Sequence, residues 1–151
     1  MGDTISGLEA HLGYWLRAVS NAVSQSFARK VEAEGVTVAE WVFMRMLFDA
    51  DSLSPTALAA RLGMTKGAIT KLADRLIEKG LAKRKANRDD RRAQTLALTP
   101  RGRALVPRLA RLADENDAAF FGALEARDRK ELERILKGIV ERRELTEVPT
   151  T

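Results

Sequence analysis

Residues 54–102 read SPTALAARLGMTKGAITKLADRLIEKGLAKRKANRDDRRAQTLALTPRG, and this stretch decides the fold. Ser54-Pro55 sets a capping hydroxyl before a proline at the first helical position, where the missing N–H removes no helix bond. Thr56, Leu58, Ala59 and Leu62 continue a short helix whose small residues permit a close crossing. Gly63 supplies a turn and Thr65 caps a second helix, which stops at Gly80. In that helix Ile69, Leu72, Ala73, Leu76 and Ile77 recur at i, i+3, i+4, i+7 and i+8, one apolar face. Leu81 to Ala86 and Gln94 to Leu98 then read as a basic ribbon around Arg88-Asp89-Asp90-Arg91-Arg92, and Thr99-Pro100 caps the next helix. Two short helices, a tight turn and a charged hairpin outline a winged helix-turn-helix. The expected fold class is mainly α with a small β-hairpin wing, flanked by N- and C-terminal dimerisation helices.

Upstream, Leu8, Leu12, Trp15, Val19, Val23, Phe27 and Val31 fall at steps of three and four. They predict one helix from about Gly7 to Glu34, roughly 40 Å long at about 1.5 Å per residue. Thr37 and Glu40 form a capping-box pattern for a helix from Val38 to about Ala50. That helix is apolar nearly all round, which predicts a central place in the core. Downstream, Leu105, Leu109, Leu112, Asn116 and Phe120 carry one stripe, and Leu132, Ile135, Leu136, Ile139 and Val140 another, before a short polar tail with Pro149. Three stripes with little to cover them predict a symmetric dimer, with a monomeric bundle as the alternative. The expected division is 1–36 and 100–151 for dimerisation and 37–99 for the winged unit.

Charge is unevenly placed. The chain carries 26 Lys/Arg and 21 Asp/Glu, yet residues 65–103 hold 12 basic against 4 acidic side chains. A basic block on a slightly acidic remainder points to a polyanion at one surface, with a merely solvated face as the bland alternative. On the polar side of the second helix, Lys66, Gly67, Thr70, Lys71 and Arg75 combine small, hydroxyl and basic groups beside Asp74 and Glu78. A helix entering a major groove needs such groups. At the ribbon, Asp90 stands two residues before Arg92 and is placed to fix its guanidinium, as an arginine aimed at a narrow minor groove requires. The apolar runs are too short to span a bilayer, and no secretory pattern opens the chain, so a cytoplasmic location is expected. With no Cys, thiolate sites, disulfides and thiol switches are excluded.

The arrangement resembles the MarR family of transcriptional regulators, over nearly the whole chain. The residues that carry the resemblance are Gly13-Tyr14-Trp15-Leu16-Arg17, Leu58-Ala59 with Leu62-Gly63, and Asp90-Arg91-Arg92 followed by Leu96-Ala97-Leu98-Thr99-Pro100-Arg101-Gly102. The resemblance implies a homodimer with recognition helices in successive major grooves of a pseudo-palindromic operator and wings in the flanking minor grooves. By position it places Thr65, Lys66, Gly67, Thr70, Lys71 and Arg75 at the DNA, with Arg88, Asp90, Arg91 and Arg92 in the wing. It also implies a repressor released by a small aromatic or phenolic anion. His11, Trp15 and Arg45 are the candidates for holding that effector's carboxylate, against a structural or surface role. A single His leaves zinc sensing without its usual N and S ligands, and no metal or cofactor is expected. The alternatives are a ligand-independent activator or architectural protein, or a winged-helix protein-interaction module. An enzyme is disfavoured because no phosphate loop or paired nucleophile and base stands in the sequence.

Overall fold

The computed structural model describes residues 2, 4–86 and 94–151. Its elements are α1 (Leu12–Glu32), α2 (Val38–Phe48), α3 (Pro55–Leu62), α4 (Lys66–Glu78), β1 (Ala82–Ala86), β2 (Gln94–Leu98), α5 (Pro100–Phe121) and α6 (Ala126–Arg142). The expected helical class with one hairpin is the observed one. Residues 87–93, which carry Arg88, Asp90, Arg91 and Arg92, lie outside the described residues.

Local chemistry sets most helix starts. Thr37 accepts from the Glu40 N–H while the Glu40 carboxylate accepts from the Thr37 N–H, a complete capping box. Ser54, Thr65 and Thr99 each accept the amide three residues on, and Pro55 and Pro100 fill first helical positions. Gly63 ends α3 at φ 65°, a left-handed conformation that disfavours side chains, and its N–H bonds the Ala59 carbonyl.

The first helix is shorter than its stripe predicts. Leu8–Ala10 form a separate 3-10 turn, and His11 is extended at φ −99°, ψ 128°. The apolar spacing runs through this break, but the hydrogen bonds do not. The Ala10 N–H turns back to the Gly7 carbonyl, and the Trp15 indole donates to the Glu9 carbonyl at 2.9 Å, holding the turn against α1.

α2 occupies the centre, touching α1, α3, α4, α5 and β2. Phe43, Met44 and Leu47 are fully buried there, among Val31, Leu58, Leu62, Ile69, Leu76 and Leu109. Burial of this many large side chains, each worth roughly 1.5–3 kcal/mol, is what fixes the winged unit. β1 and β2 pair antiparallel in the register Ala82↔Leu98, Arg84↔Leu96, Ala86↔Gln94. Leu53 extends the sheet by one residue, exchanging two backbone bonds with Leu96. Sequence alone did not reveal this bridge, since a single residue has no periodicity. Gly102 packs so closely on Leu81 that a Cβ would lie on the Leu81 carbonyl oxygen, which explains the glycine after Leu-Thr-Pro-Arg.

α5 lies along α1, and the buried Asn116 joins them. Its amide donates to the Val23 carbonyl at 3.2 Å and accepts from the Lys30 ammonium at 3.1 Å. α6 behaves differently: no residue of it is buried within this chain, and Leu132, Ile135, Leu136, Ile139 and Val140 remain 38–44% exposed. Its charged side is bound up in Arg134–Glu131 and Lys137–Glu133 pairs. Leu12, Trp15, Leu16 and Val19 are likewise about half exposed or more. The tail is less polar in its packing than its composition predicts. Val148 packs against the core, and Glu147 lies on Gly63 at the turn between α3 and α4.

Candidate nucleic-acid interface

α3 and α4 cross through the Gly63 turn, with Leu58 and Leu62 of one helix and Ile69, Leu72, Ala73 and Leu76 of the other in the core. This burial leaves one long side of α4 in solvent. Lys66, Gly67, Thr70, Lys71, Asp74, Arg75 and Glu78 are all exposed there, as the helical spacing predicts. Thr65 is exposed too, but its hydroxyl is engaged as the cap, accepting from the Ala68 N–H at 3.1 Å. Thr70 turns its hydroxyl back to the Lys66 carbonyl at 3.0 Å.

Gly67 is informative because nothing among the described residues requires it. A Cβ there would meet only the Thr65 hydroxyl, at 4.0 Å, and the backbone is ordinary helix. Glycine weakens a helix by roughly 0.5–1 kcal/mol relative to alanine, so its presence on an exposed face leaves room for a close approach from outside.

The hairpin flanks this face. Lys83, Arg84 and Lys85 of β1 are exposed, and Arg84 reaches α4, its Nη2 donating to Asp74 Oδ1 at 2.6 Å. A cleft of about 300 Å³ lies between α3, α4 and the hairpin, lined by Pro55, Ile69, Thr70, Arg84 and Leu96 among others. The Lys83-Arg84-Lys85 run is visible in the sequence, but nothing in it distinguishes Arg84 from its neighbours. Its partner Asp74 lies ten residues earlier, in another element.

A profile of the MarR family matches residues 34–93. The HTH-type transcriptional repressor Rv2887 of Mycobacterium tuberculosis is 30% identical over 129 residues, covering 85% of this chain and 93% of that protein. The chain belongs to the MarR family. Among solved structures, a mutant MarR from E. coli complexed with operator DNA matches with a TM-score of 0.75 at 25% identity, covering 85% of this chain and 93% of that one. BpsR from Bordetella bronchiseptica, described in connection with regulation of its DNA binding by 6-hydroxynicotinic acid, shares the fold at a TM-score of 0.76 and 22% identity, covering 90% and 97%.

In this MarR-family chain the three effector candidates make their polar contacts separately. His11 Nδ1 lies 3.3 Å from the Leu8 carbonyl oxygen, and Trp15 bonds Glu9, both within the N-terminal segment. Arg45 pairs with Asp49 at 2.8 Å and lies over the Phe48 ring, on its own helix. A different cleft, about 280 Å³, opens between α1, α2 and α5, lined by Val23, Phe27, Trp41, Val42 and Asp117, with Pro149 of the tail at its edge. Trp41 reads in the sequence as core, and only the helix packing puts it at a cleft. Among the described residues no cluster of three His, Asp or Glu could hold a metal, and no helix is long and apolar enough to cross a membrane.

Proposed function

We propose that this MarR-family regulator is a homodimeric, sequence-specific double-stranded DNA-binding repressor. The observation that carries the reading is the solvent side of α4, where Gly67 leaves space beside Lys66, Thr70, Lys71 and Arg75. In this reading Thr65 and these five residues meet one major groove. Arg88, Asp90, Arg91 and Arg92 serve the adjacent minor groove, with Asp90 aiming Arg92. The E. coli relative complexed with operator DNA supports the DNA-binding reading. Residues 37–99 form the DNA-binding unit, and 1–36 with 100–151 form the dimer. The exposed apolar side chains of α6 and of the start of α1 are then covered by their copies in a second chain. The chain works as a regulator rather than as an enzyme, in the cytoplasm.

The effector in this reading is a small aromatic or phenolic anion, in keeping with the 6-hydroxynicotinic acid named for BpsR. The cleft beside Trp41 and Phe27 offers the apolar walls such a ring requires. His11, Trp15 and Arg45 remain the candidates for the effector's carboxylate, each with a polar contact of its own that the effector would have to replace or share.

Binding to the DNA immediately upstream of the protein's own gene, titrated at two salt concentrations, tests the reading. Footprinted binding with a steep salt slope is expected. Binding no tighter than to random DNA, with little salt dependence, would instead indicate a winged helix that docks on protein.

A further inference from the structure

Lys79 closes α4 and joins it to three other segments. Its ammonium donates to the Gly35 carbonyl at 2.9 Å, in the turn between α1 and α2, and to Glu40 Oε1 at 2.7 Å, at the start of α2. Its main-chain carbonyl accepts from Arg101 Nη1 at 3.0 Å, in the first turn of α5. The other end of α4 has no such clasp described: Thr65 caps it from within. The C-terminal end of the recognition helix is thus tied to the turn after α1, to the start of α2 and to the first turn of α5, and its exposed polar side runs from there to the Thr65 cap.

Glu40 indicates that this tie has a purpose beyond capping. Its side chain is fully buried, and Oε1 serves both the Thr37 N–H and Lys79, while Oε2 has no partner among the described residues. The capping box needs only a carbonyl-type oxygen, which glutamine supplies equally well. A buried carboxylate with one oxygen unpaired is unfavourable unless a cation compensates it. Lys79 is that cation.

We propose that the Lys79–Glu40 pair is a positioning device that sets the inclination of the recognition helix against the dimer, and hence the half-site spacing the dimer accepts. The inference rests on the DNA-binding reading above. From Lys79 to Lys66 the helix is a lever of about 20 Å at about 1.5 Å per residue. Tilting it by about 10° about its clasped end, together with the α3 that packs on it, moves the reading end by about 3.4 Å, the rise of one base pair. Loosening the clasp therefore blurs spacing without altering which base edges the exposed side chains can read.

The test uses half-sites selected by the wild-type dimer from random duplexes, set with centres about 10 base pairs apart and one base pair nearer or farther. Wild type should prefer one spacing by about tenfold or more. The double variant Glu40→Gln/Lys79→Met keeps the cap without stranding a charge, and should cut that preference to within about threefold, while a base change inside a half-site penalises variant and wild type alike. Arg101→Ala, which removes the third bond from an exposed position, should flatten the preference partway even if the double variant folds poorly. Equal spacing ratios in a folded variant and wild type overturn the positioning role alone. Wild type that favours no duplex over random DNA overturns the DNA-binding reading, and this inference with it.

Discussion

Arg84 and Asp74 tie the hairpin to the recognition helix, guanidinium to carboxylate at 2.6 Å, with both side chains about half exposed. An exposed pair of this kind contributes at most about 1 kcal/mol to folding. Its significance is geometric, because it fixes the base of the wing against α4, the helix proposed to enter the neighbouring groove. Arg84→Ala should leave the melting temperature nearly unchanged yet lose preference for A/T-rich flanks, as Arg92→Ala should. Competition between operators with A/T-rich and G/C-rich flanks measures this, and an unaltered preference in both variants would remove the wing from the account.

Gly67 and Gly102 should respond to alanine in opposite ways. Gly67→Ala meets open space, so it should stabilise the free protein by about 0.5 kcal/mol and weaken operator binding by about tenfold. Gly102→Ala drives a methyl into the Leu81 carbonyl and should destabilise by about 1–3 kcal/mol. Calorimetry beside DNA titration separates the two. A Gly67→Ala protein that binds operator as well as wild type would mean nothing comes close to that face.

Thr70 and Lys71 are expected to differ in kind. Thr70→Ala should change the ranking of related operators. Lys71→Ala should weaken all of them together and lower the salt slope by about 1, the signature of a lost phosphate contact. If Thr70→Ala weakened every sequence equally, the hydroxyl would touch only the DNA backbone; if it weakened none, the hydroxyl that bonds the Lys66 carbonyl would be serving the helix alone.

Ile135→Glu places a charge in the middle of the unburied apolar side of α6. It should weaken self-association by about tenfold or more while leaving the core around Phe43 and Leu76 folded. Sedimentation at several concentrations reads the first effect and near-ultraviolet dichroism the second. An unshifted association equilibrium would mean that α6 is covered by something other than its copy.

Much of the winged unit was legible because its signals are local. The apolar repeat of α4, the Ser54-Pro55 and Thr99-Pro100 starts and the capping box at Thr37 each lie within one or two helical turns, and each appears as read. Periodicity failed where hydrogen bonding departs from it: the stripe through Leu8 and Leu12 continues across His11, but the helix does not. It also omitted Val106, which is buried one residue from the Leu105 assigned to the stripe of α5. Long-range pairs left no trace at all. Glu40 and Lys79 are 39 positions apart, and Lys30 and Asn116 are 86 apart, so no spacing could have joined them. The grouping of His11, Trp15 and Arg45 rested on the resemblance rather than on packing, and these side chains make their polar contacts separately.

If a second chain is what covers the apolar side of α6, as proposed above, the abundance of the protein becomes an input to regulation. On the proposed dimer, falling concentration returns the apolar side of α6 to water, and DNA binding is lost by separation of the chains as well as by dissociation from DNA. Repression should therefore switch on over a narrower range of protein level than a single-chain reader would give, because two chains must be present before either is whole.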